Sequence, residues 1–306
     1  MKRTWIATLV LIATTAIWGS SFVLVKLALS QASPLILNAA RMAIAALLLA
    51  VWYQGALRRI PAAVWGAGAI LGLSMGLGFE FQTRGLLYTT PARSAFLTGF
   101  SVILVPFLGA GWRRRWPSAR AWSGALLALG GLYLLLLPRG GWLGGLGRGD
   151  ALTLICALFF GVQIQALEIF CARYNFRQLA VLQVAYAAVF FLIGAPWLET
   201  PRWQSSLRLW LVVAALAVLA TALAFTLLAW AQQYASANHT AVVLALEPVW
   251  AWLASAWWLH AGFHGRQILG ALGIVAAMIL TGWRYEVAGA APAAGLESPG
   301  RPEVIR

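Results

Sequence analysis

Ten long apolar stretches run through the sequence, each separated from the next by a shorter and more polar segment. A helix needs about 20 mainly apolar residues to cross the hydrocarbon core of a bilayer, and these stretches come close to that length. They are continuous, whereas a strand of a membrane barrel alternates apolar and polar residues. The pattern predicts ten membrane-spanning helices, numbered here as spans one to ten, at residues 5–29, 34–53, 63–83, 93–112, 119–137, 150–172, 178–198, 207–232, 238–260 and 267–284.

Proline supports this division of the chain. Pro34, Pro61, Pro91, Pro117 and Pro201 lie at or shortly before the start of a predicted helix. Proline is well tolerated in the first turn of a helix, because the N–H group that it lacks has no intrahelical partner there. The repeated position of proline therefore indicates where the spans begin.

The composition agrees with a membrane protein and excludes an ordinary soluble domain. Hydrophobic residues make up 62% of the chain and charged residues 10%, whereas soluble domains carry about a quarter charged residues. The net charge of +14 would suggest nucleic acid as a partner of a soluble protein. Here the arginines lie mostly in short loops without interleaved aromatic residues, so the expected partner is the lipid bilayer and not nucleic acid.

The basic residues also indicate orientation. Eleven Lys and Arg residues before the C-terminal tail lie on the side of the N-terminus, against six on the opposite side. The positive-inside rule then predicts both termini in the cytoplasm of a bacterium. Lys2 and Arg3 resemble the start of a signal peptide, but the apolar stretch 5–29 is longer than the 7 to 15 residues typical of one. We therefore expect a retained first helix.

Two segments lie outside the predicted spans. Residues 140–149 are rich in glycine, but they lack the G-K-[ST] ending and the preceding strand of a phosphate-binding loop. They are predicted to form a flexible connector between two halves, residues 1–139 and 150–286. Residues 287–306 are rich in alanine, glycine and proline, and we expect a disordered tail.

The two halves show a weak internal repeat. Residues 16–19 (AIWG) match 158–161 (LFFG) at an offset of 142, and residues 88–95 match 234–241 at an offset of 146. Because each half has five spans, the second half enters the membrane from the opposite side. Such inverted repeats are typical of secondary transporters, whose substrate site lies near the bilayer midplane. A duplicated structural scaffold is the alternative.

Five stretches carry a resemblance to a known family: residues 17–22 with Lys26, then 88–90, 95–106, 246–249 and 269–272. With these, the chain resembles the EamA-type ten-helix transporters of the drug/metabolite transporter superfamily, over residues 4–284. The resemblance implies an all-α membrane protein with ten transmembrane helices in two inverted five-helix repeats. It also implies export or exchange of metabolites such as amino acids. The family often has an acidic residue after span nine, where this chain has residues 260–262 (HAG).

Ionisable side chains inside predicted spans are candidate functional residues, because a charge in hydrocarbon is costly. Glu80 and Arg84 share one helical face and form either a substrate-facing pair or a buried ion pair. Lys26 lies near a helix end, where a structural or gating role is favoured over contact with substrate. The remaining ionisable groups at this depth are Arg41, Glu168, His239 and Glu247.

Polar stripes mark two further helix faces, which should contact protein or water and not lipid. One stripe on span six consists of Gly161, Gln165 and Glu168, and one on span four consists of Ser94, Thr98 and Ser101. In span nine, Glu247 precedes Pro248, whose ring can kink the helix. This kink suits a gate or a binding site, with a kink that serves packing alone as the alternative. Trp18 lies deep in span one and is a candidate stacking surface.

Three functional classes are open to a protein with this pattern of spans: transporter, intramembrane enzyme, and receptor or scaffold. The chain has a single aspartate, no H-E-x-x-H motif, and histidines only near span ends, so the known intramembrane protease sites are missing. A receptor or scaffold does not need inverted symmetry. Cys156 and Cys171 have neither CxxC spacing nor a nearby ligand cluster, so we expect no metal and no cofactor.

The sequence therefore predicts a secondary transporter that moves small organic solutes by alternating access and exports amino acids or related amphipathic compounds. A multidrug or cation efflux carrier is a less favoured alternative. The cavity is expected between spans one, three, four, six, eight and nine, with Glu80 and Glu247 as polar anchors or proton carriers. The predicted substrate-binding residues are Glu80, Arg84, Trp18, Ser94, Thr98, Ser101, Gln165 and Glu247. A gating or coupling role is predicted for Lys26, Glu168 and Pro248. Coupling to a proton or a counter-solute, and the oligomeric state, are left open.

Overall fold

A computed structural model describes residues 2–114, 116–136, 146–258 and 265–282. This part of the chain is almost entirely helical, and its one isolated β-bridge joins Ala32 to Trp203. The helices of the first half are α1 (Lys2–Ala28), α2 (Pro34–Trp52), α3 (Gln54–Leu57), α4 (Ala62–Tyr88), α5 (Pro91–Thr98), α6 (Ser101–Arg113) and α7 (Ala119–Leu136). Those of the second half are α8 (Arg148–Cys171), α9 (Phe176–Leu198), α10 (Leu207–Ala215), a π-helical segment (Leu216–Leu223), α11 (Ala224–Ala231), α12 (Ala237–Leu244), α13 (Glu247–Trp258) and α14 (Gly265–Gly282).

Nine helical segments of the described chain are long and apolar enough to cross a membrane. They correspond to every predicted span except span nine, which consists of α12 and α13. The protein is therefore a multi-pass α-helical membrane protein. Large apolar side chains cover much of its surface, for example Leu47, Val51 and Leu269, which suits contact with lipid.

The predicted boundaries need correction in two places. Span three continues to Tyr88, beyond the predicted end at residue 83, and Thr83, Gly85 and Leu86 in its last turns are buried against other helices. The predicted connector 140–149 ends earlier than expected, since α8 already begins at Arg148. The Asp150 carboxylate accepts a hydrogen bond of 2.8 Å from the Gly147 N–H and stabilises this helix start. Residues 140–145 and the predicted tail 287–306 lie outside the described residues.

The principal helix contacts join the two halves. Helix α4 packs against α8 and α9, α2 packs against α9, and α1 packs against α11, α12 and α13. These contacts follow the same pattern in both halves. Span three packs against span six, the first span of the other half, and its equivalent, span eight, packs against span one, the first span of the first half. Spans five and ten, α7 and α14, pack against each other.

Glycine allows the closest of these approaches. A Cβ atom at Gly131 of α7 would lie 2.6 Å from the carbonyl oxygen of Gly270 in α14, and a Cβ at Gly270 would lie 2.5 Å from that of Gly131. On α4, a Cβ at Gly72 would lie 2.4 Å from the Cβ of Tyr186 in α9. Small residues at helix contacts are typical of membrane bundles, where backbones gain dispersion energy by approaching closely.

Candidate functional site

A cavity of about 50 Å³ lies between the two halves. Spans one, three, four, six, eight and nine supply its wall, and these are the six spans that the sequence predicts around a central cavity. The lining residues are Trp18, Ser21, Phe22, Phe79, Gln82, Ala95, Thr98, Gly99, Ser101, Phe160, Gln163, Ile164, Phe225, Leu228, Leu244 and Glu247.

Two of the lining spans are broken at the cavity. Span four is interrupted between α5 and α6, where Gly99 has low helix propensity. Span nine is interrupted between α12 and α13, because Pro248 has no N–H to bond the carbonyl of Leu244. The predicted kink at Pro248 is thus a short interruption of the α-helix, across which the Leu246 N–H donates to the Val243 carbonyl at 2.9 Å. As a result, Ser101 and Glu247 are the first residues of α6 and α13, and both line the cavity.

Glu247 is half-buried and faces the cavity. No described residue forms a hydrogen bond or ion pair with its carboxylate. Its backbone is held against α1, since a Cβ at Gly19 would lie 2.6 Å from the Glu247 carbonyl oxygen. One turn further, the indole Nε1 of Trp250 donates to the Thr15 hydroxyl at 2.9 Å. The carboxylate is therefore unpaired among the described residues, while the backbone of Glu247 is packed closely against α1.

Aromatic side chains form much of the remaining wall. The ring of Phe225 lies 5.1 Å from that of Trp18 and 5.8 Å from that of Phe79, and Phe79 lies 5.2 Å from Phe160. The indole Nε1 of Trp18 donates to the carbonyl oxygen of Ala220 at 2.8 Å. Ala220 belongs to the π-helical segment, and such segments leave carbonyl groups available for side chains. The π-helical segment thus fixes one aromatic wall of the cavity.

The polar groups that line the cavity include several hydrogen-bond acceptors. Gln82 uses its Nε2 to donate to the Thr98 hydroxyl at 3.3 Å, and Ser21 donates to the carbonyl of Trp18 at 2.8 Å. Gln163 uses its Nε2 to donate to Oε1 of Gln183 at 3.0 Å. The amide oxygens of Gln82 and Gln163 thus stay available. Among the lining residues of the described chain there is one carboxylate and no basic side chain, so the cavity wall is negatively polarised.

The structure brings four of the eight predicted substrate-binding residues to the cavity: Trp18, Thr98, Ser101 and Glu247. The other four lie outside its lining. Glu80 and Arg84 form an ion pair along α4, with side chains 10% and 34% exposed, which corresponds to the ion-pair alternative. The Ser94 hydroxyl lies 3.5 Å from the Thr153 hydroxyl. The Gln165 side chain packs against Gly109 of α6, so closely that a Cβ atom at Gly109 would lie 2.9 Å from the Gln165 amide oxygen.

The predicted gating residues lie away from the cavity centre, except for Pro248 next to Glu247. Lys26 is at the end of the bundle where α1 ends, which we call the far side. Its Nζ donates to the carbonyl oxygens of Leu86 and Thr89 at the end of α4. Nearby, Asp150 pairs with Arg93 at 2.5 Å and accepts from the Thr89 hydroxyl at 3.3 Å. Polar contacts thus tie spans one, three, four and six together at the far side.

On the near side, where α1 begins, a different polar group joins the halves. His239 is buried, and its ring nitrogens lie 2.9 Å from the Thr8 hydroxyl of α1 and 3.0 Å from the Thr281 hydroxyl of α14. Glu168, the other predicted gating residue, lies near this end and accepts from Gln165 Nε2 at 3.4 Å. The cavity therefore lies between two separate sets of polar contacts.

The sequence prediction missed Gln163, Gln82 and the phenylalanines of the wall. It selected Gln165 on span six because Gln165 shares a stripe with Gly161, but this stripe packs against α6. Gln163 lies two residues earlier and faces the cavity. One available signal was the match of residues 16–19 with 158–161, which sets Trp18 opposite Phe160, and both line the cavity.

Long apolar helices that surround a polar cavity at two helix breaks define a multi-pass membrane protein of the transporter type. The model of the EamA-like transporter family matches residues 5–137 and again residues 147–283, so the chain belongs to this family. An uncharacterized transporter from Archaeoglobus fulgidus is 33% identical over 288 residues, covering 93% of this chain and 88% of that protein. A solved crystal structure is similar with a TM-score of 0.72 and 22% identity, covering 90% of this chain and 95% of that chain, which shows the fold alone.

Proposed function

We propose that the protein is a secondary transporter that exports small amphipathic solutes carrying a cationic amine, amino acids among them, by alternating access. The observation that carries this proposal is the unpaired carboxylate of Glu247, exposed to a cavity with aromatic walls and no basic side chain among its described lining residues. Ion pairs and cation–π contacts both strengthen where water is excluded. A cationic group is therefore the ligand that this wall would attract.

The hydrogen-bonding groups of the wall support the same solute class. An ammonium group has three donors and no acceptor, and the amide oxygens of Gln82 and Gln163 are available acceptors in the cavity that Glu247 lines. The rings of Trp18 and Phe160 would cover an apolar part of the solute. A proton and an ammonium group would compete for the Glu247 carboxylate, which is how a proton gradient would drive export.

The arrangement of the halves supports alternating access. We propose that the two five-helix halves, residues 1–139 and 150–286, are inverted repeats, since their helix contacts are matched on exchange. The cavity lies between the polar contacts around Lys26 on the far side and those around His239 on the near side. Opening each set in turn would expose Glu247 to one side of the membrane at a time. The basic residues favour cytoplasmic termini in a bacterial cytoplasmic membrane, with the near side inside.

A cation efflux carrier is the second candidate. It is favoured by one specific observation, the lack of any basic side chain among the described residues of the lining. A carrier of this kind would bind hydrophobic cations at Glu247 and would not recognise a carboxylate. The two candidates therefore differ in whether the protein must also bind a carboxylate of the solute: an amino-acid exporter would, and a cation efflux carrier would not.

Transport by the purified full-length protein in liposomes tests the proposal. The vesicles would be offered radiolabelled amino acids, aromatic amines, hydrophobic quaternary cations and dicarboxylates, each with and without a pH gradient. We expect movement of amines or amino acids and no movement of dicarboxylates. Transport of dicarboxylates alone, or of none of these solutes by a correctly folded protein, would show that the proposed solute class is wrong.

A further inference from the structure

A buried arginine lies directly behind the cavity wall. Arg41 of α2 is 1% exposed, at membrane depth, and its Nε and Nη2 donate to the Thr221 hydroxyl at 3.2 and 3.1 Å. Its guanidinium carbon lies 4.3 Å from the ring centroid of Phe79. A hydroxyl dipole and an aromatic ring attract a cation, but neither carries a compensating charge.

Four of the five acidic residues of the described chain have other partners, and the fifth, Glu247, faces the cavity. Glu80 pairs with Arg84 and Asp150 with Arg93, while Glu199 accepts from the Ser33 hydroxyl and from the N–H of Ile36. The last two acids are Glu168, which accepts from Gln165, and Glu247 in the cavity wall. No described carboxylate pairs with Arg41, so the guanidinium is an uncompensated charge at a depth where such charges are rare.

Phe79 separates Arg41 from the cavity, because the same ring lines the cavity and contacts the guanidinium. Thr221, the hydrogen-bond acceptor of Arg41, directly follows Ala220, whose carbonyl accepts from Trp18 of the cavity wall. The Nη1 group of Arg41 has no acceptor among the described residues. Displacement of the Phe79 ring would thus connect a guanidinium donor to the cavity.

We propose that Arg41 is a carboxylate-binding subsite of the cavity, reached when the ring of Phe79 turns aside. The inference rests on the proposed function and extends it, since the solute would place its amine at Glu247 and its carboxylate at Arg41. Arginine suits this role because its planar donors match the two oxygens of a carboxylate. The transporter would then prefer solutes that carry both groups over amines that lack a carboxylate.

Phenylalanine and phenethylamine test this subsite, because the two compounds differ only in the carboxylate. Apparent affinities would be measured with the full-length protein in liposomes. We expect the wild type to prefer phenylalanine by about tenfold or more, the range of a hydrogen bond to a charged group. Arg41→Gln should lose this preference and keep its affinity for phenethylamine within about threefold. Arg41→Lys keeps a positive charge at this position, and Thr221→Val leaves Arg41 itself unchanged. Both variants should keep the preference for phenylalanine in part.

Excess acetate provides a second measurement that needs no variant. If a small carboxylate occupies Arg41, acetate should weaken phenylalanine binding and leave phenethylamine binding unchanged, whereas the same concentration of chloride should do neither. A preference that survives in Arg41→Gln, or an equal loss of both compounds in that variant while it melts like the wild type, would overturn the subsite. If the wild type carries neither compound nor any other amine, the proposed function itself fails.

Discussion

The breaks in spans four and nine have the same geometry and different chemistry. They lie at positions related by the offset of 146, with Ser101 as the first residue of α6 and Glu247 as the first residue of α13. Glycine accompanies the first break, whereas Pro248 accompanies the second. Both breaks deliver a polar side chain to one cavity, but only the second delivers a charge.

This difference shows that a duplicated scaffold need not carry duplicated chemistry. If both positions were glutamate, two carboxylates would face one small cavity and would repel each other. With serine at the other position, a single carboxylate remains and can bind a single cation. The two halves therefore share the helix break, and the second half supplies the negative charge.

Replacing Glu247, the charged residue at the second helix break, should have the largest effect on transport. Glu247→Gln makes the two breaks equally neutral, and uptake of an amine solute at low concentration should fall by at least about thirtyfold, as expected for the loss of a buried charge partner. Liposome uptake with a melting control measures this. The double variant Ser101→Glu with Glu247→Gln moves the charge to the other break and should regain part of the uptake. Wild-type uptake by folded Glu247→Gln would refute the role of the carboxylate.

The second largest effect is expected at one of the two glutamines of span six, Gln163 and Gln165. Gln163→Leu removes a lining acceptor beside Glu247 and should raise the KM for an amine solute by about tenfold. Gln165→Leu makes the same change two residues later, at a buried position outside the lining, and should change KM by less than about twofold. The ratio of the two KM values decides which face of α8 the solute contacts. Equal effects would contradict the assignment.

The support of Glu247 by span one can be tested through stability. Gly19→Ala places a Cβ against the Glu247 carbonyl, and we expect a loss of about 1 to 3 kcal/mol as overpacking forces the helices apart. Gly130→Ala is the matched control, since no atom lies within 4 Å of the corresponding Cβ position in α7. That change should be neutral or stabilising by up to about 1 kcal/mol, because alanine favours a helix. Melting in detergent measures both.

The smallest effect is expected at Glu80, which the sequence predicted, with Glu247, as a polar anchor or proton carrier. Glu80→Gln removes the pair with the partly exposed Arg84, outside the cavity lining, and should change uptake by less than about threefold. The loss of stability should be about 1 kcal/mol or less, since solvent screens a partly exposed pair. A loss of uptake as large as that of Glu247→Gln would place Glu80 in the solute path.

The sequence predicted the spans well because bilayer thickness and the cost of exposed peptide groups act on every helix in the same way. It was wrong about the end of α4, which it placed at residue 83, because the last turn of this helix is held by packing against α8, where Gly85 contacts Thr153. It also detected Glu247 and Trp18, whose residue types stand out inside an apolar span. It missed Gln163, because a polar stripe alone does not tell whether it faces a helix or a cavity.

The hydrophobic pattern by itself determined the helical membrane class, the approximate span limits and the presence of charges at membrane depth. Only the tertiary structure decided which of these charges meet the cavity, which are paired, and that Arg41 lies behind Phe79 without an acidic partner among the described residues. The physical reason is the range of the interactions involved. Burial in lipid depends on the local stretch of chain, whereas the partner of a buried charge comes from another helix, often in the other half of the molecule.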